Sequence, residues 1–261
     1  MQWMFWVTLS IKLYPSLCLV PVYWGLPNRH HIPWKDTILL LLVGVIAIGF
    51  YNVNLNYGEL NVPSGVTSFM VSQSPLLTAL LAIIFLKENI DRYKVCGFVV
   101  SLVGIALITL GEIGELRWNM SLLYISLATF AGALYSILQK PFLTKYHAIE
   151  AAAIVIWGGT LSLLFYLPDL QHDLAHASWQ STLTVIYLGV FPAAMGYIAW
   201  CYALVEFPAS RAVSFLYVIP FLATLIGWIW LDEIPVLLSF IGGVVAIGGI
   251  WLINKRPVVR I

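Results

Sequence analysis

The chain has 261 residues, of which 61% are hydrophobic and 10% are charged, and its formal net charge is +1. So few charges cannot cover the surface of a soluble domain, in which about 25% of residues are charged. The near-zero charge gives no electrostatic basis for binding nucleic acid. The composition also excludes disordered, fibrous and disulfide-rich chains, so we expect an integral membrane protein.

Nine apolar stretches are each long enough to cross a bilayer, for which about 20 mostly apolar residues are needed. In chain order they cover residues 5–23, 37–55, 63–86, 94–110, 121–138, 149–167, 181–204, 208–231 and 235–253. Short connections with Gly, Pro and Asn leave no room for a separate soluble domain. The sequence lacks the alternating segments typical of a β-barrel. We therefore expect an all-α integral membrane fold with nine transmembrane helices.

The basic residues predict the orientation, because cytoplasmic connections of membrane proteins are enriched in Lys and Arg. Of the 13 Lys and Arg, all but Lys12 and Arg117 fall on one side if the connection over residues 28–36 is cytoplasmic. That side holds Arg29, Lys35, Lys87, Arg92, Lys94, Lys140, Lys145, Arg211, Lys255, Arg256 and Arg260. We expect a plasma membrane protein, or an inner membrane protein in a Gram-negative host, with a cytoplasmic C-terminus.

The two halves of the sequence are related by an offset of 145 residues without a gap. The offset aligns Gly44 with Gly189, Tyr57 with Tyr202, Pro63 with Pro208, Pro75 with Pro220, Leu86 with Leu231, Glu88 with Glu233, Gly97 with Gly242 and Gly104 with Gly249. Shared glycines, prolines and a glutamate indicate a duplicated unit. We place the first copy at residues 1–111 and the second at residues 121–254.

The second copy contains five predicted spans, and an odd number places the two copies in opposite orientations across the membrane. Inverted repeats are common in secondary transporters, where the substrate site lies between the copies. The first copy has four spans, because the counterpart of residues 121–138 would precede Met1. We therefore expect a ten-helix form that has one more helix at its N-terminus.

The stretch VPSGVTSFMVSQSPLLTALLAIIFLKE, residues 62–88, resembles the EamA-type transporters of the drug/metabolite transporter superfamily. Residues 208–233 resemble the same motif, in which a helix with a central proline ends in Leu-x-Glu and a Gly-rich helix follows. The resemblance covers nearly the whole chain. It implies a ten-helix inverted-repeat carrier of small metabolites, often an exporter, of which this chain lacks the first helix.

Polar side chains within the spans are the candidate substrate-binding residues. Asn52 and Asn56 are spaced i, i+4 and share a helix face, which in a membrane helix points inward. Such a face either lines a substrate path or holds helices together. We expect the candidates to converge on one cavity: Asn52, Asn56, Ser72, Gln73, Tyr135, Gln139, Tyr197, Ser214 and Tyr217.

Lys12 is a basic residue well inside a span, where a charge costs about 2.5–3.5 kcal/mol. It resembles a basic residue often found in the second helix of the family. Two interpretations stay open: the ammonium group faces the cavity and an anionic substrate group, or the first segment lies close to the membrane surface.

Pro75 and Pro220 lie near the middle of equivalent spans, and each removes one helical hydrogen bond. We interpret the pair as hinges, because inverted-repeat carriers use broken helices. The alternative is that neighbouring hydroxyl groups satisfy the freed carbonyls locally.

The predicted function is that of a secondary carrier that moves a small amino acid-like or drug-like solute, with efflux as the expected direction. All histidines and aspartates lie in connections or at span edges, so an intramembrane enzyme is the less favoured alternative. An inactive or accessory membrane protein is a further alternative. We expect no cofactor and no metal. The adjacent glycines Gly242-Gly243 and Gly248-Gly249 do not indicate an oligomeric state, because packing within the bundle explains them.

Overall fold

The computed structural model describes residues 3–26, 32–62, 64–89, 91–110, 120–167, 178–231 and 237–255. Within these ranges every regular element is a helix and no strand occurs. The helices, numbered in chain order, are α1 Trp3–Trp24, α2 Trp34–Glu59, α3 in two parts Ser64–Val71 and Ser74–Phe85, α4 Arg92–Leu110, α5 Met120–Leu143, α6 Ala148–Tyr166, α7 Trp179–Glu206, α8 in three parts Ala209–Ser214, Phe215–Tyr217 and Val218–Leu231, and α9 Leu237–Asn254.

These helices confirm the all-α membrane fold, and each predicted span coincides with one of them. Seven of the described helices, all except α1 and α4, are long and apolar enough to cross a membrane. Large apolar side chains such as Ile84, Phe165 and Trp251 are exposed, as lipid-facing residues must be. Some connections lie outside the described residues, together with four of the basic residues used for orientation: Arg29, Arg117, Arg256 and Arg260.

The helices group into two compact units, and each unit takes helices from both halves of the sequence. Unit 1 consists of Met1–Asn56 and Leu134–Glu206, and therefore contains α1, most of α2, the end of α5, α6 and α7. Unit 2 consists of Tyr57–Ala133 and Phe207–Ile261, and contains α3, α4, the first part of α5, α8 and α9. The structural grouping is thus different from the division of the sequence into copies.

Four glycines allow α4 and α9 to pack closely at the centre of unit 2. A Cβ atom on Gly97 would lie 2.6 Å from the carbonyl oxygen of Gly249, and one on Gly249 would lie 2.5 Å from that of Gly97. Gly104 and Gly242 approach each other in the same reciprocal way, at 2.5 Å. Gly97, near the start of α4, meets Gly249, near the end of α9, whereas the later Gly104 meets the earlier Gly242. These equivalent helices are therefore antiparallel, as an inverted repeat requires.

Ser101 marks the centre of this helix pair. Its Oγ donates a hydrogen bond of 3.1 Å to the carbonyl oxygen of Ala246, which is its own equivalent at the offset of 145 residues. A residue that contacts its own equivalent lies beside a local two-fold axis. Because the two helices are antiparallel, this axis is perpendicular to them.

Unit 1 repeats one backbone irregularity at the same offset. A π-helical segment, Val45–Phe50, interrupts α2, and a second one, Gly189–Met195, interrupts α7. At the first segment Gly44 approaches the backbone nitrogen of Gly159, whereas Gly189 approaches Cβ of Tyr14, the residue equivalent to Gly159. The π-helical segment of α2, in the first half, therefore packs against α6 of the second half, and the segment of α7 packs against α1 of the first half.

The connection between α5 and α6 is bonded to the start of α2. Tyr146 Oη donates a hydrogen bond of 2.5 Å to Asp36 Oδ2, and Lys145 Nζ lies 3.7 Å from the same oxygen. The hydrogen bond to the Asp36 carboxylate raises the pKa of Tyr146, because ionisation would abolish the bond and place two negative charges together.

Adjacent glycines in α9 provide a test of the α4–α9 packing. Gly249→Ala places a methyl group against α4, and such overpacking costs about 1–3 kcal/mol. Gly248→Ala meets nothing within 4 Å, and helices favour alanine over glycine by about 0.5–1 kcal/mol. We expect the first variant to lower the thermal unfolding midpoint in detergent and the second to maintain or raise it. Equal effects would contradict the packing.

Alkaline titration tests the bond between Tyr146 and Asp36. Its contribution to stability is complete below the ordinary tyrosine pKa of about 10 and is lost as the pH rises through the raised pKa. Tyr146→Phe should therefore destabilise the protein at neutral pH, and the difference from wild type should vanish at strongly alkaline pH. Chemical unfolding across this range measures it, with Tyr187→Phe as the control. A difference independent of pH would contradict the assignment.

Candidate functional site

Three predicted site residues of unit 1 meet in a buried aromatic cluster. Lys12 of α1 is 9% exposed, and its Nζ lies 5.1 Å from the ring centroid of Tyr197 on α7. The Tyr197 ring packs edge-to-face on that of Tyr135 on α5, with centroids 5.9 Å apart. The Tyr197 ring is suited to hold the ammonium group, because an aromatic face attracts a cation.

Gln139 and Cys201 continue this cluster by one helical turn. Gln139 follows Tyr135 at i+4 on α5, and Cys201 follows Tyr197 at i+4 on α7, so each pair shares one helix face. Gln139 Nε2 donates a hydrogen bond of 2.7 Å to Cys201 Sγ. Both side chains are fully buried. We call Lys12, Tyr135, Gln139, Tyr197 and Cys201 the polar cluster of unit 1.

Two polar atoms of this cluster have no hydrogen-bond partner. Tyr135 Oη and Gln139 Oε1 are buried, and neither makes a hydrogen bond. Among the described residues, no carboxylate forms an ion pair with Lys12. Buried polar groups are normally paired, and an unpaired charge in a membrane helix costs about 2.5–3.5 kcal/mol. The cluster therefore has unused capacity to bind a polar ligand.

Lys12 is held in the interior of unit 1 through its backbone. Thr160 Oγ1 of α6 donates a hydrogen bond of 3.0 Å to the Lys12 carbonyl oxygen and lies 2.6 Å from Ser16 Oγ. Trp157 Nε1 donates to the carbonyl oxygen of Ser16 at 3.1 Å. These bonds fasten the middle of α1 to α6. The backbone around Lys12 is therefore fixed against α6, and both interpretations of Lys12 stay predictions.

The predicted asparagine pair of α2 is also in unit 1. Asn52 Nδ2 donates to the carbonyl oxygen of Ile48 at 2.7 Å, within the π-helical segment, and the neighbouring Asn54 donates to that of Phe50 at 2.8 Å. Asn56 is buried and has a partner. The Asn52 amide nitrogen thus stabilises the irregular turn of its own helix.

The predicted polar residues of α3 bond to their own helix. Ser72 Oγ donates to the carbonyl oxygen of Ser68 at 2.7 Å, and Gln73 Nε2 to that of Phe69 at 3.2 Å. Such bonds satisfy carbonyl groups at the break between the two parts of α3. The carbonyl whose helical bond Pro75 removes is that of Val71, and neither of these two bonds is made to it, so the choice between hinges and local satisfaction stays a prediction.

The predicted polar residues of the equivalent helix, α8, are more deeply buried. Ser214 Oγ donates to the carbonyl oxygen of Arg211 at 2.8 Å and accepts from Asn254 Nδ2 at 3.3 Å. Tyr217 packs edge-to-face on Phe98 with ring centroids 6.2 Å apart. Its Oη is buried without a hydrogen-bond partner. Unit 2 thus brings Ser214 and Tyr217 into its core.

Both predicted hinge prolines follow an interruption of the helix. Pro75 lies in the first turn of Ser74–Phe85, directly after the break at residues 72–73. Pro220 follows the 3₁₀ turn Phe215–Tyr217. A proline cannot donate the backbone bond of a regular helix, and the preceding residues therefore adopt a turn or a tighter helix.

Glu88 connects the end of α3 to the start of α8. Lys87 adopts a left-handed backbone conformation with φ of 53°, which ends the helix. The Glu88 carboxylate then accepts hydrogen bonds from Ala209 N at 2.6 Å, Ser210 N at 3.2 Å and Ser210 Oγ at 2.6 Å. A carboxylate satisfies the unpaired backbone amides of a helix N-terminus and its positive dipole. The equivalent Glu233 lies outside the described residues.

Four members of the polar cluster were predicted from the sequence, and Cys201 was not among the candidates. The predicted span ends at residue 138, whereas the helix α5 continues to Leu143 and includes Gln139. The signal for Cys201 in the sequence was its i, i+4 spacing from Tyr197, which matches the spacing of Tyr135 and Gln139. This match indicates a contact only when α5 and α7 are known to be neighbours.

Comparison with known proteins identifies the chain. The sequence model of the EamA-like transporter family matches residues 2–110 and 119–255. The uncharacterized transporter YdfC of Bacillus subtilis is 40% identical over 83% of this chain and 71% of its own length. The probable terminal-alkyne amino-acid exporter of Streptantibioticus cattleyicolor is 33% identical over 87% of this chain and 76% of its own length.

A solved crystal structure with 18% sequence identity supports the fold, with a TM-score of 0.78 over 96% of this chain and 88% of that chain. The helical membrane fold and these matches define the class: the chain is a multi-pass membrane transporter with a small-molecule substrate. It belongs to the EamA-like transporter family.

The bonds of Glu88 predict a measurable contribution to stability. Glu88→Ala leaves the N-terminus of α8 without its carboxylate, and hydrogen bonds to charged groups contribute about 1.5–3 kcal/mol. We expect a loss of about this size in the free energy of unfolding, measured by chemical unfolding in detergent. Glu59→Ala, at the exposed end of α2, is the control. Equal stability of the two variants would contradict a stabilising role of the Glu88 carboxylate at the N-terminus of α8.

Proposed function

We propose that this transporter is a secondary carrier that exports a small amino acid-like or drug-like metabolite. The observation that carries the proposal is the polar cluster of unit 1. In a family of transporters, buried polar atoms without partners inside apolar helices are suited to bind a solute during transport. The name of the Streptantibioticus cattleyicolor relative, an amino-acid exporter, supports efflux and an amino acid-like solute.

Transport occurs by alternating access between two inverted repeats, at residues 1–111 and 121–254. The reciprocal glycine contacts of α4 and α9 support this repeat, because equivalent helices are antiparallel there. The π-helical segments at the same offset also support it. Rocking of one repeat against the other exposes a solute site alternately to the two membrane faces.

Three residues of unit 1 bind the solute in this proposal: Lys12, Tyr135 and Gln139. Lys12 is buried, and Tyr135 and Gln139 each have a buried polar atom without a hydrogen-bond partner. Pro75 and Pro220 act as hinges, because each follows a helix interruption that can change its backbone angles at low cost. The other polar candidates of unit 1 are Asn52, Asn56 and Tyr197, and those of unit 2 are Ser72, Gln73, Ser214 and Tyr217.

The carrier lies in the plasma membrane with a cytoplasmic C-terminus. The distribution of Lys and Arg over the connections supports this orientation. Single cysteines introduced at exposed Lys145 and at Ser178, in a background without native cysteines, test it. A membrane-impermeant thiol reagent should label Ser178→Cys in intact cells, and Lys145→Cys after the membrane is permeabilised.

Transport assays in proteoliposomes test the carrier function. The purified full chain should exchange at least one labelled solute from a set of amino acids, nucleosides and cationic dyes, with saturation by unlabelled solute. The double variant Pro75→Ala, Pro220→Ala should reduce the maximal rate of this exchange, because its helices lose their hinges, while the half-saturating concentration stays within about twofold.

The control for this variant is Pro15→Ala, a proline inside α1 that is not part of the proposed hinge pair. It should retain the wild-type rate. A correctly folded chain that exchanges no solute of the set would oppose the carrier and favour an accessory role.

A further inference from the structure

We propose that the exported solute bears one carboxylate with a hydrogen-bond donor beside it, and that Lys12, Tyr135 and Gln139 bind these two groups. This inference rests on the proposed carrier function and specifies the class of its substrate. An α-amino acid in its zwitterionic form is the simplest solute with both groups.

The ammonium group of Lys12 selects for an anion. Its Nζ lies 5.1 Å from the centroid of the Tyr197 ring, and no described carboxylate pairs with it. A cationic solute would be repelled by this uncompensated charge, whereas an anion would form an ion pair at low dielectric. The bonds from Thr160 and Trp157 to α1 hold the lysine backbone here, so the charge is part of the interior.

Tyr135 supplies a neutral donor to the same anion. Its Oη is buried and unpaired, and its ring contacts the Tyr197 ring that holds the ammonium group. A phenol donates one hydrogen bond, which suits the second oxygen of a carboxylate. One cation and one hydroxyl match a single negative charge better than the double charge of a phosphate monoester, for which proteins use several cationic or backbone donors.

Gln139 supplies an acceptor for the neighbouring group of the solute. Its Nε2 is bonded to Cys201 Sγ, and this contact leaves Oε1 as an unpaired buried acceptor. An acceptor beside an anion-binding lysine favours a solute with a donor next to its carboxylate, such as an ammonium group. Cys201 is a positioning residue, because it fixes the direction of the amide without contacting the solute.

The same atoms do not fit a purely structural role. Polar residues that hold helices together satisfy each other's hydrogen bonds, as Ser16 and Thr160 do in this unit. The structure describes four buried side-chain atoms without partners, and two of them, Tyr135 Oη and Gln139 Oε1, belong to this cluster. Together with an unpaired lysine they offer a donor, an acceptor and a charge at one place.

A panel of matched solutes tests the inference on the purified full chain. Alanine, serine, leucine and phenylalanine are compared with ethylamine, ethanolamine, 3-methylbutylamine and 2-phenylethylamine, which lack the carboxylate. Binding is measured by ligand-induced thermal stabilisation in detergent, and transport by counterflow in proteoliposomes. We expect at least one amino acid to bind at least about tenfold more tightly than its amine, as expected for a buried charge pair.

Charge variants assign this preference to Lys12. Lys12→Met, which removes the charge from an unbranched side chain of similar size, should lower amino-acid affinity at least about tenfold and maintain or raise the affinity for the amine, which the Lys12 charge no longer repels. Lys12→Arg should restore part of the preference for the carboxylate. Lys145→Met is the matched control, because the Lys145 side chain is 58% exposed, and it should bind like the wild type.

The hydrogen-bonding variants separate the two groups of the solute. Tyr135→Phe should weaken binding of the amino acid and of the corresponding carboxylic acid without the amine to the same extent. Gln139→Met should weaken only the amino acid. Cys201→Ser, which can still bond to the amide, should preserve the preference, whereas Cys201→Ala should reduce it.

The outcomes distinguish this inference from the carrier proposal. Equal binding of amines and amino acids, or a Lys12→Met variant that retains the preference in a folded protein, overturns the carboxylate site. Exchange of nucleosides or cationic dyes without any amino acid also overturns it but supports the carrier. Selective binding of amino acids without counterflow supports the site and opposes the carrier.

Discussion

Lipid offers no hydrogen bonds, so every polar atom inside the membrane-spanning helices needs a partner within the protein or on a ligand. Most of the described polar side chains follow this constraint through short bonds to helix carbonyls. Asn52 and Asn54 bond to the π-helical segment of α2, and Ser72 and Gln73 bond to the carbonyls before the break in α3. Such bonds allow backbone irregularities to exist where a soluble protein would use water.

The polar cluster of unit 1 differs, because its bonds are incomplete. The amide of Gln139 uses one end on the thiol of Cys201 and leaves the other unpaired, and the hydroxyl of Tyr135 is unpaired as well. Lys12 adds a charge beside them. In an apolar medium unpaired polar groups are destabilising, and their contacts with a complementary solute are strong. A transporter can use this combination, because its site must bind a solute and then release it.

Close packing and helix capping hold each unit together around its polar residues. The reciprocal glycines of α4 and α9 bring two backbones together in unit 2, where lipid gives no hydrophobic driving force between helices. Glu88 contributes in a different way, by satisfying the backbone amides at the start of α8 from the end of α3. The Leu-x-Glu motif, Leu86-Lys87-Glu88, therefore has a structural role. The helix ends, the left-handed conformation of Lys87 turns the chain, and the Glu88 carboxylate caps α8.

The sequence alone predicts the spans and the offset of 145 residues, because span length and hydropathy follow from bilayer thickness and a duplication preserves residue types. It also indicated Lys12, Tyr135, Gln139 and Tyr197 as polar residues in apolar surroundings. The three-dimensional fold was needed to show that Cys201 bonds to Gln139, that Glu88 caps α8, and that each unit combines helices from both halves. These features depend on contacts between residues distant in sequence, and local periodicity carries no information about which helices become neighbours.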